Sequence, residues 1–233
     1  MRTVLETGST NADCLTMAGA GAPEGSWLRA DRQTGGRGRQ GRAWQSPPGN
    51  LYASTIVRLR SWDPSPPSLA LVAAGALHEA VGSLALLGER LRIKWPNDLL
   101  IDGAKLSGIL MERSGDAVVI GFGVNLVHAP VLTDRATIAL SATGFDVAPQ
   151  QLVELLAETF ARWLGRWRDR DLAETRSDWL ARAHPVGTAL STHLPDGSRI
   201  TGLFKGIDAA GALMLATPDQ GIVTIHAGDV FLV

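Results

Sequence analysis

Cysteine, tyrosine and net charge are all scarce in this sequence. One Cys and one Tyr occur in 233 residues, and 22 basic residues nearly balance 23 acidic ones. A single thiol excludes an internal disulfide and suits a reducing compartment, so we expect a cytoplasmic protein in which Cys14 packs in the interior. The near-zero charge does not indicate a polyanion-binding protein. The five histidines show no spacing typical of a metal site or a catalytic triad.

Long apolar runs and targeting signals are also missing. No run comes close to the roughly 20 apolar residues that cross a bilayer, and the first residues, MRTVLETGSTN, lack the apolar segment of a signal peptide. The sequence therefore predicts no membrane contact. Its 45% hydrophobic and 19% charged residues are ordinary for a globular protein, and the length suits one large domain or a domain with a small module.

Hydrophobic periodicity and turn residues predict an α+β domain in the first 183 residues. Thr10 offers an N-cap for a short helix, with Asp13 three positions later, and Gly19 offers a stop. Asp102 and Gly103 form a strong hairpin signal between two short strands. The predicted elements are a helix over 10–19, strands over 26–30 and 51–57, a helix over 69–84, strands over 91–95, 99–101, 105–112 and 117–125, and a helical segment over 149–182.

The end of the chain has a different character. Short β-prone runs alternate with turn residues at 195–197, 208–211 and 228–229. This pattern predicts a small β-barrel appended to the α+β domain. We therefore expect a domain of residues 1–183 and a C-terminal module of residues 184–233. No residue of the module lies in a motif specific enough to assign a function.

The segment GGRGRQGRAW, residues 35–44, places three arginines among four glycines between two predicted strands. Considered alone, it has three interpretations: a solvated connector, an RNA-binding patch of the arginine–glycine type, or a phosphate clamp. Glycines let backbone N–H groups turn towards an anion, and guanidinium groups form paired hydrogen bonds with carboxylate or phosphate. The low net charge and the isolated position of Trp44 weaken the RNA interpretation, since RNA-binding segments present several aromatic residues.

The stretch KWPNDLLIDGAKLSGIL, residues 94–110, is a second candidate site. Its PND turn ends a strand, where polar side chains are often exposed to a ligand. Strict alternation on the returning strand places Lys105, Ser107 and Ile109 on one face. A lysine at this position also fits a strand edge, where its ammonium group reaches solvent.

Two shorter stretches are equally open to two interpretations. GSTN at residues 8–11 fits a helix cap as well as a binding loop. The glycines of GFGVN at residues 121–125 fit close packing inside the protein as well as close approach of a ligand. Neither motif decides the function by itself.

Taken together, the motifs resemble one family. STN, QTGGRGRQGRAW, SPPGNLYAS, KWPNDLLIDGAKLSGIL and GFGVN occur in the order and approximate spacing of the biotin protein ligases, also called biotin–acetyl-CoA-carboxylase ligases. The resemblance is close over residues 8–125 and loose over the C-terminal module. It implies a class II synthetase-like, biotin–lipoate ligase fold: a mixed β-sheet catalytic domain with flanking helices, followed by a small SH3-like β-barrel.

The resemblance also implies a reaction. ATP would activate the biotin carboxylate to give biotinyl-5′-AMP and pyrophosphate, and the biotinyl group would then pass to a lysine of a carrier domain. The substrate carboxylate is the first nucleophile, so cationic side chains are needed to neutralise two anions. The implied small molecules are ATP, biotin and Mg²⁺. The implied protein partners are the biotin carboxyl carrier subunit of acetyl-CoA carboxylase and other biotin-dependent carboxylases.

Matching positions carry the family's site residues. The implied catalytic residues are Lys105, Arg37, Arg39 and Asp98, of which Arg39 would hold the intermediate and Asp98 would bind Mg²⁺ or order the acceptor lysine. The implied biotin-binding residues are Ser9, Thr10, Asn11, Gln33, Gly36, Arg37, Arg39, Lys105 and Gly108. The implied nucleotide-binding residues are Arg39, Arg42, Trp44, Asn97, Lys105, Gly121, Gly123 and Asn125, with Trp44 stacked on adenine and Asn125 reading its edge.

The sequence departs from the family in three places. Gln40 stands where many members have another basic or polar residue, and SPPGNLYAS is one residue shorter than in some relatives. The chain begins near the catalytic domain, so we expect no helix-turn-helix and no operator DNA binding. The motifs do not decide between a monomer and a homodimer. A lipoate ligase or octanoyltransferase of the same fold is the alternative function, and an arginine–glycine RNA-binding module is a third.

Overall fold

A seven-stranded mixed sheet forms the larger part of the molecule. The computed structural model describes residues 1–169, 172–194 and 197–233. In sheet order β1-β2-β3-β7-β6-β5-β4, β1 pairs with β2 in parallel and the other neighbours are antiparallel. The strands are β1 (Arg2–Thr7), β2 (Trp27–Gln33), β3 (Leu51–Arg58), β4 (Leu91–Lys94), β5 (Asp98–Ile101), β6 (Ala104–Ser114) and β7 (Ala117–Val124). The sequence patterns predict all of these except β1.

Helices cover both faces of this sheet. They are α1 (Thr10–Gly19), α2 (Leu69–Leu84), α3 (Pro149–Asp169) and α4 (Leu172–Leu180). Because side chains alternate along a strand, Leu51, Ala53 and Val57 of β3 join the large core with α2 and α3, whereas Ile56 packs with α1 around Cys14. Burial raises the pKa of the Cys14 thiol to about 12, so it is protonated at neutral pH.

Helix α2 corrects the expectation about apolar runs. Among the described residues, one helical stretch, Pro66–Leu84, is long and apolar enough to cross a membrane by length and composition alone. A core helix of a globular protein passes the same test, and 61% of the stretch is buried inside the protein. It packs closely on α3, since a Cβ at Gly75 would lie 2.4 Å from the Trp163 ring. We therefore interpret α2 as the central core helix.

The C-terminal module contains a second sheet. Its antiparallel strands are β8 (Ala189–His193), β9 (Arg199–Ile207), β10 (Leu213–Thr217), β11 (Gly221–Ile225) and β12 (Asp229–Leu232), in the order β11-β10-β9-β8-β12. The module is an antiparallel sheet, as the predicted small β-barrel requires, but the described strands do not close it by hydrogen bonding, because the edge strands β11 and β12 do not pair with each other. Instead, β12 lies against the large sheet, where Lys94 donates a hydrogen bond to the carbonyl of Val230 at 2.8 Å.

One local prediction is corrected and two fall partly on residues outside the described ranges. The N-cap of α1 is Ser9, whose hydroxyl accepts from the Ala12 N–H, and not Thr10. The helical segment predicted over 149–182 contains α3 and α4 in its described part, and residues 170 and 171 lie outside the described residues. Residues 195 and 196 of the predicted PDG turn lie outside the described residues. We propose a domain boundary between the end of α4 and the start of β8, close to residues 183 and 184.

A bulge in β6 corrects the predicted alternation. Leu99 pairs with Ser107 but the next residue, Leu100, pairs with Lys105, so β6 carries an extra residue there. Past the bulge, Lys105 shares a face with Gly108, whose Cβ would lie 3.3 Å from the lysine Nζ. Ser107 is fully buried on the other side. The prediction that Lys105, Ser107 and Ile109 share one face is therefore wrong.

Candidate active site

A cavity of about 380 Å³ opens on the face of the large sheet that carries α1. The N-terminus of α1, strands β6 and β7, the PND turn and the start of β12 contribute to its walls. The segment of residues 34–50 between β2 and β3, here called the arginine loop, covers part of it. This volume is in the range of small-molecule sites.

One end of the cavity is neutral and rich in hydrogen-bonding groups. The Gln33 side-chain oxygen accepts from the backbone N–H and the hydroxyl of Thr10, at 2.9 and 3.1 Å. The Ser54 hydroxyl lies 2.8 Å from the Thr10 hydroxyl and 2.7 Å from the Asn11 side-chain oxygen. The Asn11 amide donates to Glu112 at 2.8 Å. These bonds fix the uncharged side chains of Thr10, Asn11 and Gln33, and such groups present both donors and acceptors to a ligand.

Glycines on β6 and β7 make room for two of the cavity's side chains. A Cβ at Gly121 would lie 2.1 Å from the Asn11 side-chain oxygen, and a Cβ at Gly123 would lie 2.5 Å from the Trp44 ring. Gly108 faces the same ring, at 3.1 Å. The close approach that these glycines permit is therefore to side chains of the protein itself, and through Trp44 to the arginine loop.

The other end of the cavity is charged. The two carboxylate oxygens of Asp98 lie 2.7 Å from the Lys105 ammonium group and 3.0 Å from that of Lys94. Burial alone would raise the pKa of Asp98, but the two ammonium groups outweigh burial and hold the pKa at about 2. Burial lowers the pKa of Lys94, against the attraction of Asp98. Asp98 is thus a carboxylate at neutral pH, and both of its oxygens are occupied.

This arrangement does not fit Asp98 as a magnesium ligand. A divalent cation bound there would lie next to the Lys94 and Lys105 ammonium groups and would be repelled by both. Within the described ranges, no group of three or more His, Cys, Asp and Glu side chains is placed to hold a metal ion. Mg²⁺ binds through carboxylates together with the phosphates of a substrate. We therefore assign no protein ligand to it.

The arginine loop brings three guanidinium groups to the charged end. Arg39 donates to the Asn97 side chain at 3.4 Å and to the Gly228 carbonyl at 3.3 Å. Arg42 forms an ion pair of 2.5 Å with Asp229. Burial lowers the pKa of Arg39, and the charges of Asp229 and Asp98 act in the opposite direction. Arg37 lines the cavity and is exposed, with no side-chain partner among the described residues, so it is available to an anion.

Comparison with known proteins places the chain in a family. Residues 13–125 match the model described as the biotin/lipoate A/B protein ligase family, and residues 193–233 match the biotin protein ligase C terminal domain. A relative named biotin–[acetyl-CoA-carboxylase] ligase, from Paracoccus denitrificans, is 39% identical over 239 residues and covers 98% of each chain. The chain belongs to the biotin protein ligase family.

Other members of the biotin protein ligase family agree in sequence and in fold. A Mycobacterium tuberculosis relative with the same name is 35% identical over 97% of this chain and 86% of its own. The solved Aquifex aeolicus biotin protein ligase, in complex with biotin and ATP, superposes with a TM-score of 0.86 at 24% identity, covering 99% of this chain and 98% of the other. The Leishmania major biotin protein ligase with biotin has a TM-score of 0.70 at 25% identity, covering 97% and 98%.

The cavity of this biotin protein ligase family member contains nearly all the predicted site residues. Those that line it are Ser9, Thr10, Asn11, Gln33, Arg37, Arg39, Arg42, Trp44, Asn97, Asp98, Lys105, Gly108, Gly121, Gly123 and Asn125. Gly36 is not among the lining residues. A Cβ there would lie 2.6 Å from the Trp44 carbonyl, so Gly36 is needed where the arginine loop folds back on itself.

Several lining residues are missing from the sequence prediction. Lys94 lies in the KWPND motif, so its charge could have marked it as a site residue. The motif does not show that Lys94 and Lys105 both pair with Asp98. Arg135 and Asp134 come from the connection after β7, and Asp229 comes from the C-terminal module. No local pattern distinguishes these three from ordinary surface charges, because only the tertiary fold brings them to the cavity.

Proposed function

We propose that this protein is an ATP-dependent ligase that activates biotin to biotinyl-5′-AMP and transfers the biotinyl group to a lysine of a biotin carboxyl carrier protein. The observation that carries the proposal is a single cavity that joins a neutral hydrogen-bonding end to a cationic end. No Cys or His occurs among the described residues that line it. Such a site suits a reaction in which the substrate carboxylate is itself the nucleophile.

The neutral end matches the ureido ring of biotin. That ring has two N–H donors and one carbonyl acceptor, and Thr10, Asn11 and Gln33 offer hydroxyl and amide groups at one wall of the cavity. The bond from Thr10 to Gln33 and the bond from Ser54 to Asn11 hold them in place before a ligand binds. Biotin bound in this orientation would direct its valeryl carboxylate towards Lys105.

In the first step a carboxylate oxygen attacks the α-phosphorus of ATP, and the bond from that phosphorus to the pyrophosphate oxygen breaks. Both reactants are anions, so their approach requires positive charge between them. Lys105, Arg37 and Arg39 supply it from two sides of the cavity. Asp98 holds the Lys105 ammonium group at 2.7 Å and so acts as a positioning residue.

In the second step the neutral amine of the acceptor lysine attacks the carbonyl carbon of the mixed anhydride, and the bond to the AMP oxygen breaks. Asp98 is a poor general base for this amine, because a carboxylate with a pKa of about 2 has little affinity for a proton. We therefore propose that Asp98 positions Lys105 and does not deprotonate the acceptor lysine.

The proposal is tested by incubating the protein with ATP, Mg²⁺, labelled biotin and an apo biotin carrier domain. Label should appear on the carrier, and omission of ATP should abolish it. Labelled lipoate and octanoate form the comparison, since the alternative is a lipoate ligase or octanoyltransferase of the same fold. Transfer of lipoate or octanoate without transfer of biotin would replace the proposal with that alternative.

Lys105→Ala tests the assignment of the cationic end. Loss of one preorganised donor to developing charge typically reduces the rate by about 10²–10³, so we expect that decrease in biotin-dependent pyrophosphate release. Lys205→Ala removes an exposed lysine of β9 and is the matched control. A Lys105→Ala rate within about threefold of wild type would remove this residue from the chemistry.

The acceptor protein is proposed from the names of the relatives. The carrier subunit of acetyl-CoA carboxylase is the first candidate acceptor, because the relatives from Paracoccus denitrificans and Mycobacterium tuberculosis are named for that enzyme. Modification of other biotin-dependent carboxylases, a homodimer and a cytoplasmic location stay predictions. So does ordering of the arginine loop when ligand binds.

A further inference from the structure

Asp229 at the start of β12 has no role in the reaction described above, yet it lines the cavity and contacts the arginine loop. We propose that Asp229 is a positioning residue that holds the arginine loop closed over the cavity and so retains the acyl-adenylate until the acceptor lysine arrives. The inference rests on the proposed function, and it assigns a role to the C-terminal module within that function.

The contacts of the loop tip carry the inference. Within the described part of the chain, the side chains of residues 37–42 bond to the rest of the protein at two places. One is Asn97 in the PND turn. The other is the C-terminal module, where the Gly228 carbonyl accepts from Arg39 and the Asp229 carboxylate accepts from Arg42. The remaining tip contacts, such as the Gly38 N–H to the Arg42 carbonyl, lie inside the loop.

The Arg42–Asp229 pair is placed where it can be made and broken. The side chain of Arg42 is 43% exposed and that of Asp229 is 21% exposed. Ion pairs with this exposure contribute little stability, so the pair can hold the loop without locking it. The fold keeps Asp229 in place, because a Cβ at the preceding residue, Gly228, would lie 2.6 Å from Thr192.

The same strand also reaches the charged end of the cavity. The residue after Asp229 is Val230, whose carbonyl accepts from Lys94, and Lys94 shares Asp98 with Lys105. Strand β12 therefore contacts both the tip of the arginine loop and the lysine pair at the charged end of the cavity. A loop held here would cover the adenylate at the end where water would hydrolyse it.

The test measures how long the enzyme keeps its intermediate. Wild type and Asp229→Asn are supplied with labelled biotin and ATP without a carrier, and free biotinyl-AMP is separated from the protein over time. We expect release about two- to fivefold faster from Asp229→Asn, as for loss of one partly exposed ion pair. Asp229→Glu keeps the charge and should recover most of the retention. Asp219→Asn removes an exposed carboxylate of the same module and should behave as wild type.

Two further measurements assign the outcomes. Pyrophosphate formation is followed in the same samples: no adenylate from the wild type would overturn the proposed function, whereas adenylate formation with equal retention by Asp229→Asn would overturn this inference alone. In a double-mutant cycle, adding Asp229→Asn to Arg42→Gln should accelerate release no further, and an additive effect would show that Asp229 does not act through Arg42. If Asp229→Asn does not fold, the charge-swapped pair Arg42→Glu with Asp229→Arg carries the test, with retention restored as the expected result and retention lost as the contrary one.

Discussion

Asn50 is a single residue whose side chain fixes the end of β7. Its oxygen accepts hydrogen bonds from three consecutive backbone N–H groups, those of Leu126, Val127 and His128, at 2.9–3.0 Å. Its amide donates to the His128 carbonyl at 2.8 Å, and the residue is 2% exposed. The turn held in this way begins directly after Asn125. Asn50, from the SPPGNLYAS motif, therefore sets the position of a residue assigned to the nucleotide.

We expect Asn50→Ala to raise the KM for ATP more than the KM for biotin. The variant leaves buried N–H donors without partners, which typically costs about 1–3 kcal/mol, and relaxation of the turn would misplace Asn125 by the nucleotide. An increase of at least about fivefold in the KM for ATP corresponds to the lower end of this range.

Asn50→Asp is the conservative comparison, because a carboxylate still accepts from the three N–H groups but cannot donate to the His128 carbonyl. It should recover part of the ATP affinity. Steady-state kinetics with each substrate varied in turn give the two KM values. An equal increase in both would indicate general loss of structure instead of misplacement of the nucleotide end.

At the scale of elements, the cavity depends on close packing of the arginine loop on β6 and β7, at positions where the strands have glycine. The indole of Trp44 lies on Gly108 of β6 and Gly123 of β7, and the Lys105 ammonium group is 5.6 Å from the centre of its ring. The arginine loop is thus packed on the sheet at one end and bonded to the C-terminal module at its tip. Motion of the loop would have to release both contacts.

Gly123→Ala should displace Trp44 and weaken ATP binding. The new Cβ would lie 2.5 Å from the ring, and insertion of a methyl group into a packed site typically costs about 1–3 kcal/mol. We expect an increase of about tenfold in the Kd of ATP, measured by calorimetry. Gly165→Ala in α3 adds a methyl group in open space and is the control. Unchanged ATP affinity in Gly123→Ala would separate Trp44 from the nucleotide site.

Elements with a strong local pattern could be predicted from the sequence. The apolar repeat over 69–84 and the Asp102–Gly103 turn correspond to α2 and to the β5–β6 hairpin, with nearly the expected bounds. The motif residues could be assigned to one cavity because several motifs coincided with one family. Physical reasoning on each motif alone left a packing interpretation open, and for Gly121 and Gly123 the structure shows packing against Asn11 and Trp44.

The remaining features depend on tertiary contacts. Strand β1 is mostly exposed and lies at the sheet edge, so its sequence lacks the alternation of a half-buried strand. The β6 bulge shifts Lys105 to a face that strict alternation does not predict. Asp229 reaches the cavity only because β12 lies against the large sheet. None of these leaves a signal in the neighbouring residues.

For the molecule as a whole, the negative charge that balances the arginine loop comes from residues distant in the sequence. Arg42 pairs with Asp229 near the C-terminus, and Arg39 is attracted by Asp98 and Asp229. The near-zero net charge is thus compatible with a strongly cationic segment, because its counter-charges come from two other parts of the fold. The same cavity still keeps Arg37 unpaired within the described chain, as a site that receives two anions requires.

Two partly buried histidines couple the stability of the whole molecule to pH. His78 of α2 lies with its Nε2 3.2 Å from the Leu91 carbonyl, and His184 follows α4 with its Nε2 buried and without a partner in the described ranges. Burial lowers the pKa of each histidine to about 4, and nearby cationic side chains act in the same direction. In the unfolded chain the pKa is about 6.5. Below pH 6.5 the unfolded state therefore binds protons that the folded state does not.

The sign of the effect follows from this difference. The free energy of unfolding contributed by the two histidines is fully present above pH 6.5 and decreases as the pH falls towards 4. These pKa values correspond to about 2 kcal/mol for each histidine at pH 5, and solvent screening at partly buried sites reduces this to about 1 kcal/mol. The unfolding temperature should then decrease by roughly 4–8 °C between pH 7 and pH 5. The double variant His78→Gln/His184→Gln should show a smaller decrease than wild type over the same interval. Its carboxylates are unchanged, so their titration cancels in the comparison.

His226→Gln replaces an exposed histidine and should follow wild type. Equal decreases in wild type and the double variant, measured by calorimetry at pH 7, 6 and 5, would show that the two histidines do not set the acid sensitivity of the fold.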